Sequence, residues 1–64
     1  MIKNKIKNLR ETKGITQEDF ASVLKVSRQT IIAMEKGNYE PSLGLALKVA
    51  RFFDLPVEKI FIIN

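Results

Sequence analysis

The stretch VSRQTIIAMEKG, Val26 to Gly37, holds the residues best suited to chemistry. Arg28 and Gln29 stand side by side near its start. A guanidinium can donate a bidentate pair to O6 and N7 of guanine, and a carboxamide can pair with N6 and N7 of adenine. Each such pair discriminates by about 1–3 kcal/mol. This is recognition chemistry, not catalysis. The chain has no histidine and no cysteine, which excludes disulfides, the usual zinc sites, and acid–base or nucleophilic chemistry built on those side chains. No nucleophile–base pair stands out among the rest. Neither an enzyme nor a metal or cofactor is expected.

The elements that must hold Arg28 and Gln29 follow from caps and periodicity. Ser27 precedes the stretch as an N-cap and Gly37 closes it, giving a helix over Arg28 to Lys36. Ile31 and Met34 share one face, which docks inward together with Val26, while Ile32 and Ala33 lie elsewhere. Upstream, Thr16 caps another helix with Asp19 in its acidic first turn, and Phe20, Ala21, Val23 and Leu24 are its expected buried stripe. Only Lys25, Val26 and Ser27 separate the two helices, and two short helices across so tight a turn form the helix-turn-helix pattern.

The flanking segments read as further short helices. A first helix is expected over about Asn4 to Lys13, with Ile6 and Leu9 inward and Gly14 as a left-handed terminator. After the loop Asn38–Pro41, Ser42 caps a fourth helix running to about Phe53. Leu43, Ala46, Leu47 and Ala50 follow the spacing of one core face, with Leu45, Val49, Phe52 and Phe53 partly off it. A helix apolar over so much of its circumference is buried on more than one side. Asp54-Leu55-Pro56 breaks the chain before a short fifth helix around Val57 to Ile60. The closing FIIN reads as an exposed strand or a dimer contact, with Met1-Ile2 a candidate pairing strand.

A length of 64 residues bounds the chain to one domain, residues 1–64, with a small core. Without disulfide or metal such a core needs efficient helix packing or a partner subunit. Phe52, Phe53, Phe61, Ile62 and Ile63 are too many apolar groups for the chain to bury alone, so they are the expected dimer interface. The net charge of +4 is uneven: residues 1–14 carry +4, residues 15–24 carry −2, residues 25–39 carry +2, and the remainder balances. A basic small domain suits a polyanionic partner, nucleic acid before membrane, although Lys3, Lys5, Lys7 and Lys25 are read as solvated surface charges. The opening MIKNKIKNLR has no long apolar run, so no signal peptide or membrane span is expected and the location inferred is the cytoplasm.

The run TQEDFASVLKVSRQTIIAMEKGNYEPSLGLALKVARFF resembles the Cro/C1-type (XRE) helix-turn-helix family. The likeness rests on the Thr-Gln opening of the second helix, the Val-Ser-Arg-Gln-Thr-Ile start of the third, its Glu-x-Gly end and the Pro-Ser-Leu entry to the fourth. It extends over essentially the whole chain and is nearest to the short dimeric regulators that lack an effector domain. The resemblance implies an all-α, compact, five-helix, lambda-repressor-like DNA-binding domain that grips operator DNA as a two-fold dimer. It places base contacts on Arg28, Gln29, Ile32 and Ala33, and phosphate contacts on Gln17, Ser27, Lys36, Asn38 and Tyr39. Arg10 and Glu35 correspond to a structural ion pair of the family, which removes Arg10 from the DNA ligands.

Two positions depart from the family pattern. The residue after Leu24 is often a glycine in a left-handed turn; here it is Lys25, at a cost of roughly 1–2 kcal/mol if that geometry is kept. Positions 32 and 33, often polar, are Ile32 and Ala33, which can touch thymine methyls but cannot exchange hydrogen bonds with bases. Direct readout then rests on Arg28 and Gln29. The leading expectation is a sequence-specific transcriptional regulator, most simply a repressor, that binds double-stranded operator DNA as a homodimer through the major groove. A protein co-regulator is a further candidate partner. The competing expectation is an antitoxin-like or other protein-binding module with secondary DNA binding. It is disfavoured by the little sequence that lies outside the five helices.

Overall fold

The computed structural model describes residues 2–63. In chain order these form strand β1 (Ile2–Asn4), helices α1 (Ile6–Lys13), α2 (Gln17–Leu24), α3 (Arg28–Glu35), α4 (Leu43–Phe53) and α5 (Val57–Ile60), and strand β2 (Phe61–Ile63). The architecture is thus mostly helical, with two short terminal strands. Three helix starts are set by hydroxyl caps: Thr16, Ser27 and Ser42 sit in extended backbone, and each accepts the backbone N–H three residues on. Each thereby satisfies a donor that the helix itself leaves open.

Helix α1 begins two residues later than the sequence suggests, because Asn4 belongs to β1. The strands pair antiparallel, Ile2 opposite Ile63, Lys3 opposite Ile62 and Asn4 opposite Phe61. Asn4 Oδ1 accepts the Ile6 N–H at 3.1 Å, and its Nδ2 donates to the Met34 carbonyl at 2.8 Å. A short side-chain amide that bonds neighbouring backbone competes with helix at this position, and here it wins. Met1 and Asn64, the outer ends of the two anticipated terminal segments, lie outside the described residues.

Every helix contributes to the core. Ile6, Phe20, Ile31, Met34, Val49 and Ile60 are all 0% exposed. Phe20 packs against Phe52 and Phe53 with ring centroids 5.2 and 5.3 Å apart, within the range of favourable tilted aromatic pairs. Three sequence expectations need correction. Val23 is 56% exposed and not part of the buried stripe of α2. In α4 the buried face is Leu45, Ala46, Val49, Ala50 and Phe53, while Leu43 and Leu47 are 75% and 53% exposed. Because α4 is apolar on nearly all sides, periodicity alone left its rotation open by roughly one residue's turn, ~100°. The third correction is Phe53: at 8% exposure it sits in the chain's own core and has little surface to offer a second subunit.

Lys25 keeps the left-handed geometry expected of a glycine there, with φ 60° and ψ 42°. Its N–H donates to the Ser22 carbonyl and the Val26 N–H to the Ala21 carbonyl, which is the double closure of a Schellman turn. The turn is fixed by those bonds and by the packing of α2 on α3, so the strain is retained. Lys25→Gly removes roughly 1–2 kcal/mol of backbone strain and adds about 0.5–1 kcal/mol of unfolded-state freedom. A net stabilisation of about 0.5–1 kcal/mol is expected in urea denaturation followed by circular dichroism; Lys25→Ala, which keeps the strain, should gain none of it.

Candidate nucleic-acid interface

Helices α2 and α3 pack on one another, and Ile31 and Met34 anchor α3 fully in the core. With that face fixed, the first turn of α3 must project outward. Arg28 and Gln29 are both exposed there. Ile32 and Ala33, one turn on, are half-buried, so each offers only part of an apolar surface to a ligand. Ser27 is exposed but engaged: its hydroxyl accepts the Thr30 N–H at 3.1 Å and shares a hydrogen bond with Thr30 Oγ1 at 2.9 Å.

Gln17 opens α2, and it lines a single open cleft with Arg10, Thr16, Glu18 and Arg28. The start of α2 and the first turn of α3 are therefore neighbours in space. A positive helix end and a guanidinium beside it favour an anion, while the Glu18 carboxylate at the same cleft opposes one. Lys36, Asn38 and Tyr39 are exposed in the segment that follows α3. Asn38 donates its N–H to the Ala33 carbonyl at 2.9 Å, which holds that segment against the helix end. Tyr39 stands further off, in a concavity it shares with Ile2, Pro41 and Phe61.

Behind this surface, Arg10 and Glu35 meet. Arg10 Nε donates to Glu35 Oε2 at 2.7 Å, and a second guanidinium nitrogen donates to Oε1 at 3.3 Å. The Arg10 and Glu35 side chains are only 9% and 4% exposed. The remaining Arg10 nitrogen donates to the Ile15 carbonyl at 2.9 Å. The hydrogen bond to Glu35 raises the Arg10 pKa above the ordinary arginine range, against the opposing pull of burial. Gln17 joins the same carboxylate, its Nε2 donating to Glu35 Oε1 at 3.0 Å. One buried carboxylate at the end of α3 thus ties α1 to the side chain that opens α2, and Arg10 in turn holds the loop before α2. The Gln17 link has no signature in the sequence, because the two residues meet only through the packing of α2 on α3.

The remaining residues anticipated at a subunit contact are dispersed. Phe52 is half-buried with Lys13 Nζ 5.4 Å from its ring centroid. Phe61 is half-buried, Ile62 is 36% exposed and Ile63 is 79% exposed. Side chains alternate along a strand, so Phe61 and Ile63 share one sheet face with Ile2, and Ile62 points to the other. Leu43, which the sequence assigned to the core, adjoins Ile2, Val57 and Phe61 along an apolar groove.

A tight helix pair whose second member presents an exposed polar first turn above a fully anchored face defines a helix-turn-helix DNA-binding domain. A helix-turn-helix family model matches residues 6–60. An uncharacterised HTH-type transcriptional regulator of Methanocaldococcus jannaschii is 59% identical over 61 residues, covering 95% of this chain and 92% of that protein. The cryptic phage CTXphi transcriptional repressor of Vibrio cholerae is 33% identical over 60 residues, covering 94% of this chain and 54% of its own length. Among solved structures, a restriction-modification controller protein from Aeromonas hydrophila superposes with a TM-score of 0.76 at 30% identity, over 84% of this chain and 82% of that one. A candidate DNA-binding protein from Bacteroides fragilis superposes with a TM-score of 0.84 at 26% identity, over 95% and 98%. The chain belongs to the Cro/C1-type (XRE) helix-turn-helix family of DNA-binding transcriptional regulators, a non-enzymatic class. No helix of the described residues is long and apolar enough to cross a membrane.

Proposed function

We propose that this regulator is a homodimeric repressor that reads an inverted-repeat operator in the major groove, acting in the cytoplasm. The observation that carries the reading is the exposure of Arg28 and Gln29 on the first turn of a helix whose opposite face is fully buried. In the proposed complex Arg28 pairs with guanine and Gln29 with adenine, while Ile32 and Ala33 touch thymine methyls. Gln17, held by Glu35, meets a phosphate at the start of α2, and Ser27, Lys36, Asn38 and Tyr39 contribute backbone contacts. Two recognition helices about 34 Å apart require an operator with matching two-fold symmetry. Occupancy of a promoter then blocks polymerase, a role supported by the similarity to the phage repressor.

The proposed subunit contact is the apolar face formed by Leu43 and Leu47 on α4 with Phe61 and Ile63 on β2. Leu43 and Phe61 line one groove, Leu47 lies one turn further along the same side of α4, and Ile63 shares the sheet face of Phe61. Phe52 lies on the opposite flank of the α4 core face, away from this contact. Leu47→Glu is expected to convert the dimer to monomer in sedimentation equilibrium while leaving the helical circular dichroism intact. Affinity for a palindromic duplex should fall at least 100-fold, since a monomer contacts one half-site. A Leu47→Glu protein that stays dimeric rejects this contact.

A further inference from the structure

We propose that the C-terminal ends of α2 and α4 form a second interaction surface, which binds an acidic segment of a partner protein through an apolar anchor side chain. The surface is an open groove lined by Val23, Leu24, Lys25, Lys48, Arg51 and Phe52. Its floor is apolar, and Val23 stands 56% exposed there although it is a branched aliphatic side chain in a small helical domain. Every charge on the lining is positive. Lys13 adds a fourth cation above the Phe52 ring, 5.4 Å from its centroid. Among the described residues the sole ion pair is Arg10–Glu35, so Lys13, Lys25, Lys48 and Arg51 have no carboxylate partner among them. An apolar patch rimmed by charge of one sign is the form of a protein docking site, and its complement is an apolar side chain flanked by carboxylates.

Three considerations separate this surface from the others. Val23 lies six residues beyond Gln17, about 9 Å along α2 and roughly 120° round it, so it does not face the ligand that meets the start of α2. On α4, Lys48 and Phe52 are roughly 140° round the helix from Leu43 and Leu47, so the groove is distinct from the proposed subunit contact. A second copy of the chain is disfavoured, because a two-fold contact would set this rim of cations against itself. Nucleic acid would use the cations but not the floor. A peptide with acidic and apolar residues uses both.

The test is selection of displayed random 16-residue peptides on the full-length protein, with counter-selection on Val23→Glu. Val23 and the charge-reversed pair Lys48→Glu/Arg51→Glu are at exposed sites, so these substitutions should leave the fold unchanged by circular dichroism. Enriched peptides are expected to carry aspartate and glutamate around one large apolar residue. They should shift amide resonances of Val23, Lys25, Lys48, Arg51 and Phe52, and bind the charge-reversed pair at least 10-fold more weakly. Replacing the peptide's glutamates by lysines should restore binding to that pair, a rescue that a folding defect cannot produce. Binders without acidic enrichment, or shifts confined to other surfaces, overturn the proposal. So do shifts of these residues on dilution of the protein alone, which assign the groove to a second copy. Shifts with a scrambled DNA duplex as large as those at Arg28 assign it to nucleic acid and overturn it equally.

Discussion

Arg10→Met is expected to destabilise the protein by about 3–5 kcal/mol, because it leaves the Glu35 carboxylate buried and unpaired. The Ile15 carbonyl loses its donor in the same step. A domain of this length commonly has about 3–10 kcal/mol in total at ~0.05–0.15 kcal/mol per residue, so the variant should lose a large share of its stability. Urea denaturation followed by circular dichroism measures it directly. Arg10→Met/Glu35→Leu removes both charges and should recover most of the loss, since an apolar pair of similar volume is often as stable as the ion pair it replaces. The double variant has a further use. Gln17 loses its anchor on Glu35 while the fold persists, so operator affinity should stay below that of the parent. Recovery of stability together with full affinity would show that the Glu35 carboxylate does not position Gln17.

Arg28→Ala and Gln29→Ala carry the second large effect. Each removes a bidentate base contact of about 1–3 kcal/mol, and a dimer makes that contact twice. The expected loss is about 2–6 kcal/mol, or roughly 30-fold to 10⁴-fold in operator affinity. Affinity for random duplex should fall far less. Lys36→Ala is the contrasting case: it should weaken specific and random binding alike and reduce the slope of log affinity against log salt by roughly 2 per dimer. Fluorescence anisotropy with operator and scrambled duplexes over a salt series distinguishes the two behaviours. Uniform loss on both duplexes for Arg28→Ala would make Arg28 a phosphate ligand.

What the sequence made legible was local. Thr16, Ser27 and Ser42 signal three helix starts because a cap acts within three residues of itself. Gly14 and Gly37 mark left-handed closures for the same reason. The helix-turn-helix and its exposed first turn follow from those caps and from the Ile31–Met34 spacing. Rotation of α4 was not legible, since Leu43, Leu45, Leu47 and Val49 look alike to any periodicity count. Their fates were decided by which side of α4 met the common core around Phe20. Val23 resembles its buried neighbours in chemistry alone; at the rim of the groove between α2 and α4 it stays 56% exposed. Asn4 and Gln17 escape a linear reading for a related reason, because their partners Met34 and Glu35 lie far along the chain.

The proposal that α3 reads an inverted repeat through Arg28 and Gln29 is tested most directly by selecting random duplexes with the purified protein at physiological salt, then repeating the selection with Arg28→Ala and Gln29→Ala. The expected result is an inverted repeat whose half-sites lie about one helical turn apart, with symmetric positions that relax separately in the two variants. Recovery of no motif, with weak salt-sensitive binding that is the same for all three proteins, would contradict it.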